Sequence, residues 1–341
     1  MGSREKIPIS VLDLVPIVEG GTASEAFHNS IELAQHVEGL GYNRVWFAEH
    51  HSMPAIASAA TSIVIARIAA ETSTIRVGSG GIMLPNHAPL VIAEQFATLE
   101  AMFPGRIDLG LGRAPGSDRA TAHALRRELD ADDFPRLVQE LEYFLQDSGV
   151  NQRVRAVPSA AGANIPIWLL GSSGFSAELA GRLGLPFSFA AHFSPENLDA
   201  ALRIYRGTFR PSAGLKEPYV MVALNVFAAE TDAEAERIST SQQQSFINLL
   251  RGTPSKIQPP VDNMDTIWTP AEKAMVQQWL GGSVTGGPEK VRKELEAFVE
   301  STRADELIVH GLIYDHAARL RSYEIVANAL TSDAAGSAAG N

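Results

Sequence analysis

The sequence predicts a single (β/α)8 barrel, also called a TIM barrel, and two observations lead to that prediction. Eight apolar segments of strand length recur along the 341 residues, and most are nearly continuous in apolar residues, as is typical of parallel strands covered on both faces. Segments with helical periodicity separate them, which fits either a barrel or an open doubly wound sheet. The open sheet normally has a glycine-rich nucleotide-binding turn after its first strand. Here that strand ends in Val15-Pro16-Ile17-Val18-Glu19-Gly20-Gly21, without such a turn, which favours the barrel.

The predicted elements follow one another along the chain in a regular order. The strands are rich in Val, Ile and Leu and begin near Pro8, Arg44, Ile75, Arg106, Pro166, Pro186, Tyr219 and Glu306. The clearest helices have apolar residues three and four positions apart, and they span residues 27–40, 134–145, 291–299 and 320–330. Gly41 is expected to end the first of these helices, and Pro288 precedes the third.

Two segments depart from this repeat. Residues 240–282, after the seventh strand, are rich in proline and polar residues and contain Trp268. Long insertions at the C-terminal face of a barrel are commonly active-site lids, so we expect a lid here, although a passive surface excursion would give the same pattern. Residues 331–341 are small and polar, and we expect a disordered tail. Residues 1–330 then form one domain.

Composition excludes several classes of function. The 28 basic and 39 acidic residues give a net charge of −11, and no basic cluster is visible, so we expect neither nucleic acid nor a membrane surface as partner. The chain has no cysteine, which excludes disulfides, thiolate nucleophiles and thiolate metal sites. No apolar stretch approaches a membrane span of ~20 residues, and residues 1–6 lack a signal-peptide core. We therefore expect a cytoplasmic protein that acts on a small molecule.

The second strand supplies the catalytic candidate, because barrel enzymes carry their sites at the C-terminal ends of the strands. This strand ends in Glu49-His50-His51. Neighbouring residues of a strand face opposite sides, and counting from Trp46 and Ala48 places His50 at the barrel mouth. A histidine titrates near neutrality, so His50 suits general acid or base chemistry. A purely structural histidine is the alternative.

The third strand contains Gly78-Ser79-Gly80-Gly81, an unusual number of glycines for a strand. Glycine is costly inside a strand and often marks the close approach of a ligand or of another backbone. We interpret this stretch as a surface for a flat aromatic cofactor. Tight packing alone would explain one glycine more easily than three.

The fourth and fifth strands end in groups that suit an anion. The fourth ends in Gly110-Leu111-Gly112-Arg113, and the fifth in Leu170-Gly171-Ser172-Ser173, just before a helix. An arginine donates two hydrogen bonds to a phosphate, and a helix start exposes backbone N–H groups. Because the two strands are neighbours, together they predict a phosphate site. An ion pair for Arg113 and a plain capping serine remain the alternatives.

Several motifs in order now indicate a family. Glu49-His50-His51, Gly80-Gly81-Ile82-Met83-Leu84-Pro85, Ala93-Glu94-Gln95 and the segment from Pro104 to Arg113 resemble the bacterial luciferase-like, flavin-dependent monooxygenase family. The resemblance extends from about Pro8 to Leu330. The continuation Arg113-Ala114-Pro115-Gly116 is similar to single-chain relatives of the luciferase alpha subunit, whose substrates are often unassigned.

The resemblance implies a role for each matching residue. It assigns Arg113 to the phosphate of FMN, together with Leu170, Gly171, Ser172 and Ser173, and it places a non-proline cis peptide at Gly80–Gly81 beneath the isoalloxazine. It makes His50 the catalytic histidine. Luciferase carries a side chain where Gly112 stands and an acid where Gly171 stands, so light emission from a long-chain aldehyde is not implied.

The same resemblance implies partners. FMN would act as FMNH2 with O2 as co-substrate, and a separate flavin reductase would supply it, because the sequence has no pyridine-nucleotide fingerprint. Relatives are commonly dimers, so a homodimer is expected. Met53, His192, Phe193 and Trp268 are the candidate pocket residues for a small apolar or aromatic substrate. Hydroxylation, Baeyer–Villiger insertion, epoxidation and desulfonation all remain open.

Three other functions compete with this interpretation. The family also contains dehydrogenases that use the deazaflavin F420, although its acidic tail would favour additional Lys or Arg residues at the mouth. A metal-dependent hydrolase would draw on His50, His51, His87, His192 and His310, but adjacent histidines do not easily share one metal, and no HxH or HExxH spacing occurs. A flavin-binding protein without turnover is the third.

Overall fold

The structure is a computed structural model and describes residues 7–113, 119–125, 133–146, 153–160 and 163–331. Within these ranges the strands are β1 (Ile9–Asp13), β2 (Arg44–Phe47), β3 (Arg76–Met83), β4 (Ile107–Gly112), β5 (Ile167–Gly171), β6 (Phe187–Ala190), β7 (Val220–Ala228), β8 (Val284–Gly286) and β9 (Glu306–His310). The helices are α1 (Ala23–Gly39), α2 (Thr61–Glu71), α3 (Pro89–Met102), α4 (Arg119–Ala124), α5 (Phe134–Leu145), α6 (Gly174–Leu183), α7 (Leu198–Thr208), α8 (Asp232–Leu250), α9 (Pro270–Trp279), α10 (Pro288–Thr302) and α11 (His316–Thr331).

Eight parallel strands close into a barrel, which confirms the predicted fold. The ring runs from β1 through β7 to β9, and β9 pairs with both β7 and β1. Each of the eight predicted strands corresponds to one strand of this ring. The additional strand, β8, pairs with the end of β7, where Val284 lies opposite Val226. With three residues, β8 is too short to give a periodic signal in the sequence.

Side chains alternate between the barrel interior and the surrounding helices. Val45 belongs to the large cluster between strands and helices, whereas the next residue, Trp46, belongs to the cluster inside the barrel. The Trp46 and Trp168 rings meet edge to face in that interior, with their centroids 5.2 Å apart. This alternation is the basis on which His50 is predicted to face the mouth.

Buried charges close the N-terminal end of the barrel. The Arg44 guanidinium donates to Glu306 at 2.8 Å and to Asp108 at 2.7 Å, and Trp46 Nε1 donates to Asp108 at 3.1 Å. Burial lowers the pKa of Arg44, but the two carboxylates outweigh burial and hold that pKa above its usual value. The sequence did not predict this network, because its members come from separate strands. Because this ion network fills the N-terminal end of the barrel, we expect a ligand site at the C-terminal end.

The segment 240–282 begins inside α8, which follows β7 directly. After α8 the chain is irregular as far as Thr269, apart from a short 3-10 turn, and then forms α9. Ile257 bonds to the loop after β1, because its N–H donates to the Ile17 carbonyl at 2.9 Å and its own carbonyl accepts from Glu19 at 2.7 Å. Among the helices in the described ranges, none combines the length and apolar character needed to cross a bilayer. The predicted tail, apart from residue 331, lies outside the described residues.

Candidate functional site

A cavity of about 600 Å³ lies at the C-terminal ends of the barrel strands. Its walls are mostly apolar and come from strand ends around the ring and from segment 240–282. Arg113 is the only Asp, Glu, Lys or Arg among the described lining residues. The volume lies within the range of small-molecule and cofactor sites, and the position is the usual one for a barrel enzyme.

The predicted phosphate-binding residues line this cavity together. Arg113 follows β4, and Leu170, Gly171, Ser172 and Ser173 lie where β5 leads into α6. The Arg113 guanidinium carbon lies 4.3 Å from the centroid of the Phe175 ring, which holds this side chain near the start of α6. Ser173 occupies the N-cap position of α6, yet its side chain makes no capping hydrogen bond. A guanidinium, two hydroxyls and a helix N-terminus therefore converge, and this donor set suits a phosphate.

Gly171 has a packing reason as well. A Cβ atom there would lie 2.5 Å from the Cβ of Ser176 in the first turn of α6. An acidic side chain, which luciferase carries at this position, would require α6 to move. The departure from luciferase thus follows from the close contact between β5 and α6.

The peptide bond between Gly80 and Gly81 is cis, as the resemblance implied, and both residues line the cavity. Gly78 has a different role and does not belong to the described lining. A Cβ atom on Gly78 would lie 2.6 Å from the Cβ of Asp108, so contact between β3 and β4 requires this glycine. The interpretation of this glycine stretch as a cofactor surface therefore applies at most to Gly80 and Gly81.

His50 lines the cavity, and the residues around it are held by a buried carboxylate. The Nε2 atoms of His51 and His87 lie 2.8 and 2.9 Å from oxygens of Glu49, and the Met83 N–H donates to Glu49 at 2.9 Å. Burial would raise the pKa of Glu49, but hydrogen bonds from its histidine neighbours outweigh burial and lower that pKa. Glu49 is therefore ionised and ties the end of β2 to the end of β3. The sequence placed Glu49 beside the histidines without assigning it this function.

Two further histidines meet at the cavity wall. The rings of His192 and His310 have centroids 5.8 Å apart, and His310 Nδ1 lies 3.1 Å from the Leu12 carbonyl oxygen. Burial lowers the pKa of His310 to about 4. Burial, followed by the nearby His310 and His50, holds the pKa of His192 well below its usual value. Both rings are therefore uncharged at neutral pH. The sequence predicts His192 as a pocket residue, whereas it indicates for His310 only a metal-ligand role in the hydrolase alternative.

Two amides position His192. Asn225 donates to the backbone carbonyl of His192 at 2.7 Å, and Gln242 of α8 donates to Asn225 Oδ1 at 2.8 Å. Gln242 also accepts a hydrogen bond from the Leu312 N–H at 3.0 Å. The loops after β6 and β9 are thereby joined to α8. No local sequence signal could have paired these residues, because they are far apart in the chain.

The predicted pocket residues divide into two groups. Met53, His192 and Phe193 line the cavity, but Trp268 is not among its described lining residues. Trp268 packs beside α9, where its Nε1 donates to Asp265 at 2.7 Å, and it borders a separate pocket of about 210 Å³. Placing Trp268 in the substrate pocket therefore needs correction. Trp279, at the end of α9, lines the main cavity instead.

The five histidines of the hydrolase alternative do not form one cluster. His51 and His87 contact Glu49, whereas His50, His192 and His310 line the cavity. In the part of the chain that the structure describes, no group of three or more His, Cys, Asp or Glu residues is arranged to hold a metal ion.

Comparisons with known proteins agree on one family. A family model described as luciferase-like monooxygenase matches residues 8–306. The chain is 54% identical to the luciferase-like monooxygenase of Escherichia coli K12, over 94% of this chain and 96% of that one. It also resembles the crystal structure of apo-MsnO8, with a TM-score of 0.84 and 37% identity, over 95% of this chain and 98% of that one. A more distant match is the oxygenase component of the flavin-dependent trigonelline monooxygenase of Acinetobacter baylyi, 22% identical over 67% of this chain and 66% of that protein.

Proposed function

This chain belongs to the luciferase-like monooxygenase family and is a flavin-dependent oxidoreductase of that family, and from this premise we propose its cofactor and its partners. FMN, delivered as FMNH2 by a separate reductase, is the cofactor, and O2 is the co-substrate. The substrate is a small apolar or aromatic molecule. One observation carries the proposal: Arg113 and the turn at Gly171–Ser173 line the same cavity as His50.

The residues of the cavity fit FMN chemically. Arg113, the hydroxyls of Ser172 and Ser173 and the first N–H groups of α6 suit a phosphate, and Gly80–Gly81 offers a wall without side chains to a flat ring. The reduced flavin supplies the reaction with O2 when it is bound. The protein must bind the cofactor, orient the substrate beside it and exclude water.

His50 is the catalytic residue of the proposal. It lines the same cavity as Gly80–Gly81 and the histidine pair at His192 and His310, and its charge acts on both of those histidines. From there it would give a proton to the substrate oxygen or take one from it. The ionised Glu49 next to it holds the end of β2 in place through His51 and Met83.

Segment 240–282 is the proposed lid. Phe246, Leu249, Ile257 and Trp279 contribute apolar side chains to the cavity wall from this segment. An apolar roof of this kind excludes water, which favours transfer of oxygen to the substrate over release of hydrogen peroxide.

FMN is preferred over F420 because of the charge around the cavity. The acidic tail of F420 calls for several cations, whereas Arg113 is the single Lys or Arg among the described lining residues. The reductase partner is supported by the distant relative that is the oxygenase component of its own monooxygenase. A homodimer and a cytoplasmic location stay predictions from the sequence.

Titration of the purified protein with FMN, anaerobic FMNH2 and F420 tests the cofactor. We expect binding of both FMN forms and none of F420, and tighter binding of F420 than of FMN would overturn the proposal. A parallel assay follows NADH oxidation with FMN, with and without an added flavin reductase. We expect oxidation only with the reductase, and rapid oxidation by the protein alone would refute the two-component scheme.

A further inference from the structure

The cavity contains polar groups that the phosphate site leaves unused. Arg113 is the only Asp, Glu, Lys or Arg among the described lining residues, and the proposed function uses it for the phosphate. Two of the remaining polar side chains, His192 and His310, are uncharged, because burial lowers their pKa values below neutrality. A charged substrate group placed against these two rings would therefore be buried next to uncharged partners, at a large cost in free energy.

The position of His310 determines which of its nitrogens can accept a hydrogen bond. Its Nδ1 lies 3.1 Å from the Leu12 carbonyl oxygen, and a carbonyl can only accept, so Nδ1 carries the proton. In the neutral ring Nε2 is then an acceptor. Nε2 of His310 can therefore accept a hydrogen bond from a donor group of a ligand.

His192 has hydrogen-bonding capacity that the protein does not use. Its ring lines the cavity, and its Nδ1 is buried without a hydrogen-bond partner among the groups that the structure describes. Because this buried Nδ1 has no described acceptor in reach to receive a proton from it, the neutral ring is expected to carry its proton on Nε2, which is not among the buried unpaired atoms and is left to donate to a ligand. The backbone of His192 is held by Asn225, which in turn is held by Gln242.

We propose that His192 and His310 together bind one uncharged group that both donates and accepts a hydrogen bond, such as a hydroxyl, on an otherwise apolar substrate. The hydroxyl donates a hydrogen bond to Nε2 of His310, and its oxygen accepts a hydrogen bond from the ring N–H of His192. The pair thereby orients the substrate, and it selects neutral hydroxylated molecules over hydrocarbons and over ions. This inference rests on the proposed function for the identity of the reaction, but the binding contact itself needs no cofactor.

Three probes of similar shape test the proposal by calorimetry at about pH 7.5: 4-propylphenol, propylbenzene and the cation of 4-propylbenzylamine. We expect the phenol to bind about tenfold more tightly than propylbenzene, as one or two neutral hydrogen bonds allow, and the cation to bind most weakly. Equal affinity for the phenol and propylbenzene, or no binding of any probe, would overturn the proposal.

Variants locate the contact. His192→Leu and His310→Leu should each reduce the preference for the phenol to about twofold or less. His28→Leu removes an exposed histidine of α1 and should retain the full preference. A preference that survives in both cavity variants contradicts the proposal. FMN titration of the same preparations reports separately on the proposed function, because wild-type protein that fails to bind FMN would still give a clear result with the probes.

Discussion

Gly110 shows how closely single residues pack beside the cofactor wall. A Cβ atom on Gly110 would lie well inside contact distance of the Ser79 carbonyl oxygen, which is backbone and has no other rotamer to adopt. The Ser79 hydroxyl also donates to the Gly110 carbonyl at 2.8 Å and accepts from the Gly110 N–H at 2.9 Å. This position joins β3 to β4 immediately before the Gly80–Gly81 peptide, and it excludes any side chain.

Replacement of this glycine should therefore destabilise the barrel. We expect Gly110→Ala to lower the free energy of unfolding by about 3 kcal/mol in urea, because the added methyl group forces a shift of the backbone. Gly207→Ala is the control, since a Cβ on this α7 residue meets no atom within 4 Å. Its effect should stay within about 1 kcal/mol. Equal stability of the two variants would contradict this packing argument.

The sequence predicts where a residue lies when the regular alternation of a strand extends to that residue. His50 follows from alternation after Trp46 and Ala48, and Arg113 follows from the end of one strand. Trp268 lies in the irregular stretch before α9 and Trp279 is the last residue of α9, and no apolar period links the two, so the sequence could not decide which of them faces the cavity. His310 is recognisable as a strand end, but its pairing with His192 depends on the closure of the barrel.

At the level of elements, the roof of the cavity depends on contacts outside the regular barrel. Ile257 bonds to the backbone on both sides of Val18, and the Lys256 ammonium donates to the Gly21 carbonyl at 2.8 Å. Pro254, Ser255 and Ile257 line the cavity from this stretch. The stretch is thus attached to the loop after β1 and takes part in the cavity wall.

Replacement of residues 254–258 by five glycines tests this roof. The glycines remove the apolar wall and the Lys256 contact while preserving the chain length. We expect faster conversion of bound FMNH2 and O2 to hydrogen peroxide, because water reaches the cofactor more easily. The control replaces residues 213–217, which precede β7 at the other end of the barrel. If both variants release hydrogen peroxide at the wild-type rate, segment 240–282 is not a lid.

Helix boundaries in this region were harder to predict than the strands. The middle of α8, residues 239–245, is rich in Ser, Thr and Gln, and these residues pack through hydrogen bonds: Gln242 donates to Asn225 and Gln244 to the Pro259 carbonyl. Because these contacts are polar, the periodicity of apolar residues in the sequence does not reveal them. The predicted insertion therefore starts at residue 240, inside a helix, although the eight barrel strands were all predicted.

At the scale of the whole molecule, an ion network closes one end of the barrel and a cavity lies at the other. Arg44, Asp108 and Glu306 close the N-terminal end, whereas the C-terminal cavity holds uncharged histidines. Buried neutral histidines make stability depend on pH. Burial lowers the pKa of His310 to about 4, while a histidine in the unfolded chain titrates near 6.5.

Between those two pH values the unfolded chain binds more protons than the folded protein. The free energy of unfolding therefore falls as the pH decreases through this window, and it is fully restored above it. From about pH 7.5 to about pH 5, the wild type should lose about 2 kcal/mol more than His310→Leu in urea unfolding. His28→Leu should lose as much as the wild type. An equal loss in all three proteins would show that His310 is not buried in its neutral form.

The central claim is that Arg113 and the turn at Gly171–Ser173 bind the phosphate of FMN. Calorimetry with FMN and with riboflavin, which lacks only the phosphate, isolates this contact. For Arg113→Met we predict that FMN affinity falls by about 10- to 100-fold, as loss of a charge-assisted hydrogen bond requires, while riboflavin affinity stays unchanged. Arg182→Met, an exposed α6 residue paired with Glu178, should bind both like the wild type. Unchanged FMN affinity in Arg113→Met, or an equal fall for riboflavin, would contradict the claim.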